Sequence, residues 1–164
     1  MRGTAGRRGA QPARLACAAL AALLALAAVP VGAQPASPVG PVGPVGLWET
    51  ISDVDGKPKG HVRIREIDGE LRGTIEEILD PAKRDRRCNL CEDQRRDQPV
   101  LGLTVLEGMR ADGDRFDGGH ILDPENGHIY RCRITVVDGG RHLEVRGYIG
   151  FALLGRTQTW NRLE

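Results

Sequence analysis

Hydrophobic and polar residues alternate with a period of two from Gly46 onward, and turn residues interrupt the pattern at short intervals. In one segment Leu71, Gly73 and Ile75 alternate with polar neighbours. Successive side chains of a strand point to opposite faces, so this pattern predicts strands with one apolar and one solvated face. No long stretch has the helical period. The pattern therefore predicts an all-β domain.

Turn residues divide the pattern into segments of strand length. The predicted strands span residues 47–52, 61–67, 71–76, 115–122, 128–137, 143–149 and 157–163. The apolar segment 100–106 fits either a further strand or a short helical lid, and it follows a charged loop at residues 82–98. About eight strands in up-and-down order close most simply as a barrel, because closure removes exposed strand edges. We therefore predict a small antiparallel β-barrel.

Parity along the strands predicts which side chains enter the barrel. In the segment 128–137 the apolar face contains Cys132, which is therefore expected to be a buried core residue. His120 shares parity with Phe116 and Leu122 and is expected to point inward. An inward histidine is either a satisfied core residue or a contact for a ligand or metal.

The N-terminal segment has a basic start, an apolar run and a cleavage motif. Four arginines precede a nearly uncharged run from Leu15 to Val31, which ends in Val31-Gly32-Ala33. Small residues at the third and first positions before a cut fit signal peptidase, so residues 1–33 are predicted to be a cleaved signal peptide. A retained membrane anchor is the alternative, but the run is short and rich in alanine. Cleavage implies a periplasmic or secreted protein.

Pro-Val-Gly triplets dominate residues 34–45, and this composition predicts an extended linker. The domain is expected to occupy residues 46–164, a length that suits a single core. Cleavage would leave 19 basic groups against 22 acidic ones, because residues 1–33 hold four of the 23 basic residues and no acid. This balance predicts neither a nucleic-acid partner nor a polybasic membrane patch. The mature chain is not expected to span a membrane.

Six short segments of the domain together resemble a known bacterial family. They are Gly46-Leu47-Trp48, Pro99-Val100-Leu101-Gly102-Leu103, Phe116-Asp117-Gly118-Gly119, Asp123-Pro124-Glu125-Asn126-Gly127 followed by Tyr130, Arg146-Gly147-Tyr148, and Gly155-Arg156-Thr157-Gln158-Thr159-Trp160. In this order they resemble the exported family catalogued as domain of unknown function 2147. The resemblance covers essentially the whole domain. It implies a periplasmic or secreted lipocalin-like barrel with no assigned activity.

The resemblance also implies how one end of the barrel is closed. In lipocalins an arginine of the last strand lies over a tryptophan of the first strand, which combines a cation–π contact with packing. Trp48 and Arg162 occupy similar positions in this chain, and Trp160 belongs to the closing segment. These three residues are the expected closure of the barrel.

Cys88 and Cys91 form the sharpest local motif, and three interpretations remain open. Export favours a local disulfide that pins the charged loop. Two thiolates could instead form half of a metal site, although no second motif supplies the other ligands. A redox-active dithiol has the right spacing but lacks the context of a strand that leads into a helix. The remaining cysteine of the domain, Cys132, is expected to be a free thiol.

Four residues are candidates for contact with a ligand: His120, Tyr130, Arg146 and Tyr148. Arg146 and Tyr148 could line a polar mouth that accepts an anionic head group, or they could form a ladder on the outer face of the barrel. No carboxylate pair or activated serine is placed for catalysis, so no catalytic residue is predicted. No cofactor or resident metal is expected.

These observations support three hypotheses of function. The first is a non-enzymatic envelope protein that binds a small apolar or amphipathic ligand inside the barrel. The second is a structural or protein-interaction module of the envelope with a filled barrel, and the third is a thiol or metal protein that uses Cys88 and Cys91. Room for a ligand inside the barrel separates the first two hypotheses.

Overall fold

Eight antiparallel strands form a closed barrel in which each strand pairs with its neighbours in the sequence. The computed structural model describes residues 43–164. The strands are β1 (Gly46–Ile51), β2 (Pro58–Ile67), β3 (Glu70–Ile78), β4 (Thr104–Asp112), β5 (Arg115–Leu122), β6 (Ile129–Val137), β7 (His142–Tyr148) and β8 (Arg156–Arg162). Pairing of Trp48 with Arg162 joins β1 to β8 and completes the cylinder. The predicted all-β, up-and-down barrel is confirmed.

The predicted signal peptide, residues 1–33, and residues 34–42 of the predicted linker lie outside the described residues. Within residues 43–164, no helix is long and apolar enough to cross a membrane.

The hairpin between β2 and β3 shows how turn chemistry fixes the strand order. Asp68 and Gly69 both have positive φ, at 55° and 77°. Two successive residues with positive φ match the twist of antiparallel strands, and aspartate and glycine tolerate this conformation best. The register therefore continues from Ile67 opposite Glu70 into the body of the sheet.

Strand β4 differs from the expectation for the segment 100–106, which is neither a complete strand nor a helical lid. Val100 and Leu103 are buried residues of the loop before β4, and the strand begins only at Thr104. Its register with β3 shifts twice, so Leu106 and Met109 both face the interior although they have opposite parity. A bulge of this kind breaks the period of two on which the sequence prediction rests.

Side chains from all eight strands fill the barrel. The core contains Trp48, Val62, Ile64, Leu71, Leu106, Met109, Cys132, Ile134, Leu143, Val145 and Trp160, with Phe116 packed against it. The end of the barrel where β1 begins and β8 ends is called the closed end. The opposite end, called the loop end, carries the loops at residues 52–57, 79–103, 123–128 and 149–155.

Candidate functional site

The closed end is covered by Arg162. Its guanidinium carbon lies 4.1 Å from the centroid of the Trp48 ring, and the Trp48 indole N–H donates to the Pro44 carbonyl at 2.8 Å. The guanidinium also donates to four backbone carbonyls, those of Gly43, Val45, Gly140 and Glu164. Burial lowers the pKa of Arg162, but arginine remains protonated at any physiological pH. Within residues 43–164, Arg162 and its hydrogen-bond partners therefore cover this end of the barrel.

Trp160 lies deeper in the barrel than the contact between Arg162 and Trp48. It is 3% exposed, and its indole N–H donates to the Gln158 side-chain oxygen at 3.3 Å. Gln158 in turn donates to the Asp53 carboxylate at 2.5 Å, and Arg156 forms an ion pair with the same carboxylate. This polar chain connects the core to the loop between β1 and β2 at the loop end.

Inward glycines indicate how tightly the barrel is packed. A Cβ atom at Gly73 would lie 2.8 Å from the Leu106 Cβ and 3.2 Å from a Val62 methyl group. A Cβ atom at Gly147 would lie 3.4 Å from the Tyr130 Cβ. Side chains from neighbouring strands therefore already occupy the space at Gly73, whereas a Cβ atom at Gly147 would make contacts of ordinary length. The described interior is a packed core.

Two shallow depressions of about 280 and 340 Å³ lie on the outside of the barrel wall, and both are lined by Glu107 and His120. His120 is exposed, so the expectation that it points inward is wrong. The register of β5 with β6 shifts between Phe116 and Gly119, where Gly118 has φ 82°. This bulge reverses the parity of every later residue of β5 and turns His120 outward.

The other candidate ligand residues do not converge on one site either. Tyr130 faces inward near the loop end, and its hydroxyl accepts a hydrogen bond from the Asn126 amide at 3.0 Å. Arg146 and Tyr148 lie on the outer face of β7, opposite Arg133 and Arg131 of β6. They therefore belong to an outer ladder and do not line a mouth.

Asp117 is the acidic partner of this outer ladder. Its carboxylate accepts from the Arg133 Nε at 2.7 Å, and the Tyr148 hydroxyl lies 3.5 Å from it. Partial burial raises the pKa of the Asp117 carboxyl, but hydrogen bonds from the Gly118 amide and the Arg133 guanidinium outweigh this and hold the pKa below its ordinary value. Asp117 thus neutralises Arg133 at neutral pH.

Cys88 and Cys91 form a disulfide, as export was expected to favour. Both residues are buried, at 0% and 1% exposure. The disulfide loop packs against the turn between β5 and β6, where a Cβ atom at Gly127 would lie 2.9 Å from the Cys91 amide nitrogen. The Arg86 guanidinium adds a hydrogen bond to the Pro124 carbonyl at 3.0 Å. The disulfide therefore closes a short ring within the charged loop, and packing together with the Arg86 hydrogen bond holds that ring against the barrel.

The buried disulfide argues against both the redox-active and the metal-binding interpretation of Cys88 and Cys91. A redox-active disulfide needs a sulfur that a partner thiol can reach, and neither of these sulfurs is exposed. A disulfide also leaves no thiolate for a metal. Within residues 43–164, no three His, Cys, Asp or Glu side chains are grouped as metal ligands.

Cys132 is a free thiol in the middle of the core, with 0% exposure. Burial, with a smaller effect of the Asp117 carboxylate, raises the pKa of its thiol to about 12. The thiolate is the reactive form, so this cysteine is not a nucleophile at neutral pH.

In a chain that starts at Gln34, Cys132 is the one cysteine outside the disulfide. We expect this thiol to resist Ellman's reagent at about pH 8 in the folded protein and to react within minutes after unfolding in urea. Rapid labelling of the folded protein would contradict the buried placement of Cys132.

The ordinary thiol pKa of 9.0 is restored when Cys132 is unfolded. The stability due to the protonated thiol is therefore present below about pH 9 and is lost as the pH rises towards 12. Cys132→Val should remove this part of the alkaline destabilisation.

The loop between β7 and β8 carries the largest group of exposed apolar side chains on the loop end. Four of them are mostly exposed: Ile149 at 68%, Phe151 at 78%, Leu153 at 91% and Leu154 at 84%. Val54, in the loop that is joined to Arg156 through Asp53, is 95% exposed. Apolar patches of this kind mark sites of interaction.

Arg146 holds this apolar loop in place. Its guanidinium donates to the Ala152 carbonyl at 2.8 Å, to the Leu153 carbonyl at 3.2 Å and to the Thr157 hydroxyl at 2.8 Å. The backbone therefore turns its carbonyls toward the barrel, while the Leu153 and Leu154 side chains face solvent. The sequence did not predict this site because Ile149 was included in the predicted strand 143–149, whereas β7 ends at Tyr148.

Comparison with protein families gives a match to the family described as uncharacterised proteins conserved in bacteria, DUF2147, over residues 46–162. No match was found among curated proteins. The matched residues include the whole barrel, from the first residue of β1 to the last residue of β8.

The barrel is also similar to the structure of HP1028 from Helicobacter pylori, a protein described as belonging to the lipocalin family. The TM-score is 0.66, the sequences are 22% identical, and the alignment covers 76% of this chain and 85% of that chain. At this identity the similarity establishes the lipocalin-like fold alone.

Proposed function

The chain belongs to the DUF2147 family of uncharacterised bacterial proteins, and we propose that it is an exported, non-catalytic binding protein of the cell envelope. Its ligand is apolar or amphipathic and is bound at the loop end of the barrel. The observation that carries this proposal is the apolar loop, in which Phe151, Leu153 and Leu154 are held in solvent by the hydrogen bonds of Arg146. A lipocalin-like fold is compatible with binding of a small ligand.

Packing supports the loop end over the interior as the proposed place of binding. Ligand pockets of known proteins usually hold about 300–1,000 Å³, whereas Gly73 faces side chains that leave no space even for a methyl group. Arg162 covers the closed end. The largest group of exposed apolar side chains at the loop end is the loop between β7 and β8, which makes it the proposed place of binding.

Two further features support an exported, non-catalytic role. The basic and apolar segment before Ala33 has the organisation of a signal peptide, and a buried disulfide suits an oxidising compartment. Catalysis finds no support among the described residues, since the buried thiol of Cys132 is protonated at neutral pH and the Asp117 carboxylate of the outer ladder is paired with Arg133.

Titration with the fluorescent amphiphile N-phenyl-1-naphthylamine tests this proposal. The dye brightens and shifts to the blue in an apolar site. We expect saturable binding to the wild-type domain and a loss of affinity of about tenfold in Phe151→Ser, because burial of one large apolar side chain contributes about 1.5–3 kcal/mol.

Ile67→Ser is the matched control, since Ile67 is also exposed, at 42%, but lies at the closed end. This variant should bind the dye as the wild type does. Equal losses in both variants, or no saturable binding at all, would contradict the proposal. Full binding by Phe151→Ser would instead place the ligand inside the barrel.

A further inference from the structure

We infer that the loop between β7 and β8 docks onto the surface of an anionic phospholipid bilayer. This inference rests on the proposed function and names its ligand: the amphipathic molecule is a phospholipid presented in a membrane. The juxtaposition that supports it is an apolar loop tip beside a band of four arginines, Arg131, Arg133, Arg146 and Arg156. Among the described residues, Arg131 and Arg146 have no acidic partner.

The apolar part of the surface is formed by side chains that a bilayer can accept without rearrangement of the fold. Phe151, Leu153 and Leu154 project from one short turn at the extreme end of the barrel, and each is more than three-quarters exposed. Ile149 and Val54 extend the same end. A convex apolar tip suits insertion at the boundary between head groups and acyl chains.

The charged part of the surface is built by strand pairing. Arg131 of β6 lies opposite Tyr148 of β7, and Arg146 of β7 lies opposite Thr157 of β8. Both arginines are therefore on the outer wall within a few residues of the apolar loop. Neither forms an ion pair within residues 43–164, because Arg146 donates only to neutral oxygens and the side chain of Arg131 is exposed without a carboxylate partner.

Two of the acids near this band are already engaged, and Glu144, which is exposed, lies two residues farther from the loop on the outer face of β7. Asp117 pairs with Arg133 at 2.7 Å, and Asp53 pairs with Arg156. The region next to the loop therefore retains a local positive charge, although the mature chain as a whole has more acidic than basic groups. Sequence composition predicted no polybasic membrane patch, and this band arises only when the register brings residues from separate strands together.

Tyr148 adds a residue type that favours the membrane interface. It lies between the arginine band and the apolar loop, half-buried, with its hydroxyl 3.5 Å from the Asp117 carboxylate. Tyrosine prefers the head-group level because its ring is apolar and its hydroxyl is polar. The order from the barrel outward is thus cationic, amphipathic and apolar, which matches the order of an anionic membrane from head groups to acyl chains.

A phospholipid surface explains this order better than a protein partner does. A self-associating apolar patch would bring Arg131 and Arg146 of two copies close together without neutralising them. A bilayer that contains phosphatidylglycerol supplies negative charge at the depth of the arginines and hydrocarbon at the depth of the loop. Charge complementarity therefore selects the bilayer.

Vesicle flotation tests the inference with the full domain. Vesicles of phosphatidylethanolamine with phosphatidylglycerol are compared with vesicles of phosphatidylcholine alone. We expect the wild type to float with the anionic vesicles, and to bind the neutral vesicles about tenfold less well. Binding should weaken as the salt concentration rises, because the charged contribution is screened.

Three variants separate the two parts of the surface. Phe151→Ser with Leu153→Ser should lower the partition coefficient by at least about tenfold on both kinds of vesicle. Arg131→Gln should lower it on anionic vesicles alone, by about fivefold. Ile67→Ser should leave it unchanged. Circular dichroism of each variant shows whether the barrel has folded.

Each other outcome overturns the inference in a recognisable way. Flotation that is insensitive to Arg131→Gln and to phosphatidylglycerol would exclude an anionic surface as the binding partner. If the protein does not float with vesicles but sediments as a dimer, and Phe151→Ser abolishes that dimer, the loop would be a contact with a second copy of the chain. If flotation fails while saturable dye binding remains sensitive to Phe151→Ser, the inference fails and the proposed function stands; if the dye is not bound either, both fail.

Discussion

Trp48→Ala is expected to lower the free energy of unfolding by about 3–5 kcal/mol, the largest loss we expect from any single substitution. Trp48 is fully buried, donates a hydrogen bond to the Pro44 carbonyl and lies under the Arg162 guanidinium. Truncation leaves a cavity and removes the cation–π contact at the same time. Urea unfolding followed by far-ultraviolet circular dichroism measures the loss.

Trp48→Phe is the matched control for this prediction. The smaller ring keeps an aromatic face under Arg162 but loses the indole N–H that donates to Pro44 at 2.8 Å. The loss should then be about 1–2 kcal/mol. If the alanine variant lost no more stability than the phenylalanine variant, Trp48 would not be the packed closure of the barrel.

Gly73→Ala is expected to lower the free energy of unfolding by about 1–3 kcal/mol, because the barrel has no room for another methyl group at this position. The added Cβ would lie 2.8 Å from the Leu106 Cβ and 3.2 Å from a Val62 methyl group. Neither neighbour can withdraw without displacing the next side chain of the core. The same urea titration provides the measurement.

Gly147→Ala makes the comparison specific to packing. Its new Cβ would lie at ordinary contact distances, 3.4 Å from the Tyr130 Cβ and 3.6 Å from an Ile121 methyl group. Alanine also restricts the unfolded chain more than glycine does. This variant should therefore be neutral or slightly more stable than the wild type. Tolerance of Gly73→Ala to the same degree would indicate unfilled space inside the barrel.

Strand order and closure could be predicted because most of the chain obeys a period of two between short turns. The prediction failed where the backbone departs from that period. Bulges place both Leu106 and Met109 inside the barrel and turn His120 outside. The nearby glycines do not identify a bulge in the sequence, because glycine also occurs in turns and in close contacts.

The candidate binding surface was harder to predict than the fold for two physical reasons. Its apolar residues form an irregular segment after β7. Ile149 is spaced from Leu143 and Val145 as an inward residue of the same strand would be, although the strand has already ended. Its arginines come from different strands and are neighbours only through register, as Arg133 and Arg146 are. A signal was available in the apolar residues between Gly150 and Gly155, since glycines at both ends favour a loop.

The most direct test of binding at the loop end is a titration of the isotope-labelled domain with soluble dihexanoylphosphatidylglycerol, followed by amide chemical shifts. We predict that the perturbed amides fall within residues 148–156 and around Val54, while those of Ile134 and Leu143 in the packed core stay unchanged. Perturbation centred on Cys132, Ile134 and Val145 would show that the ligand enters the barrel and would contradict binding at the loop end.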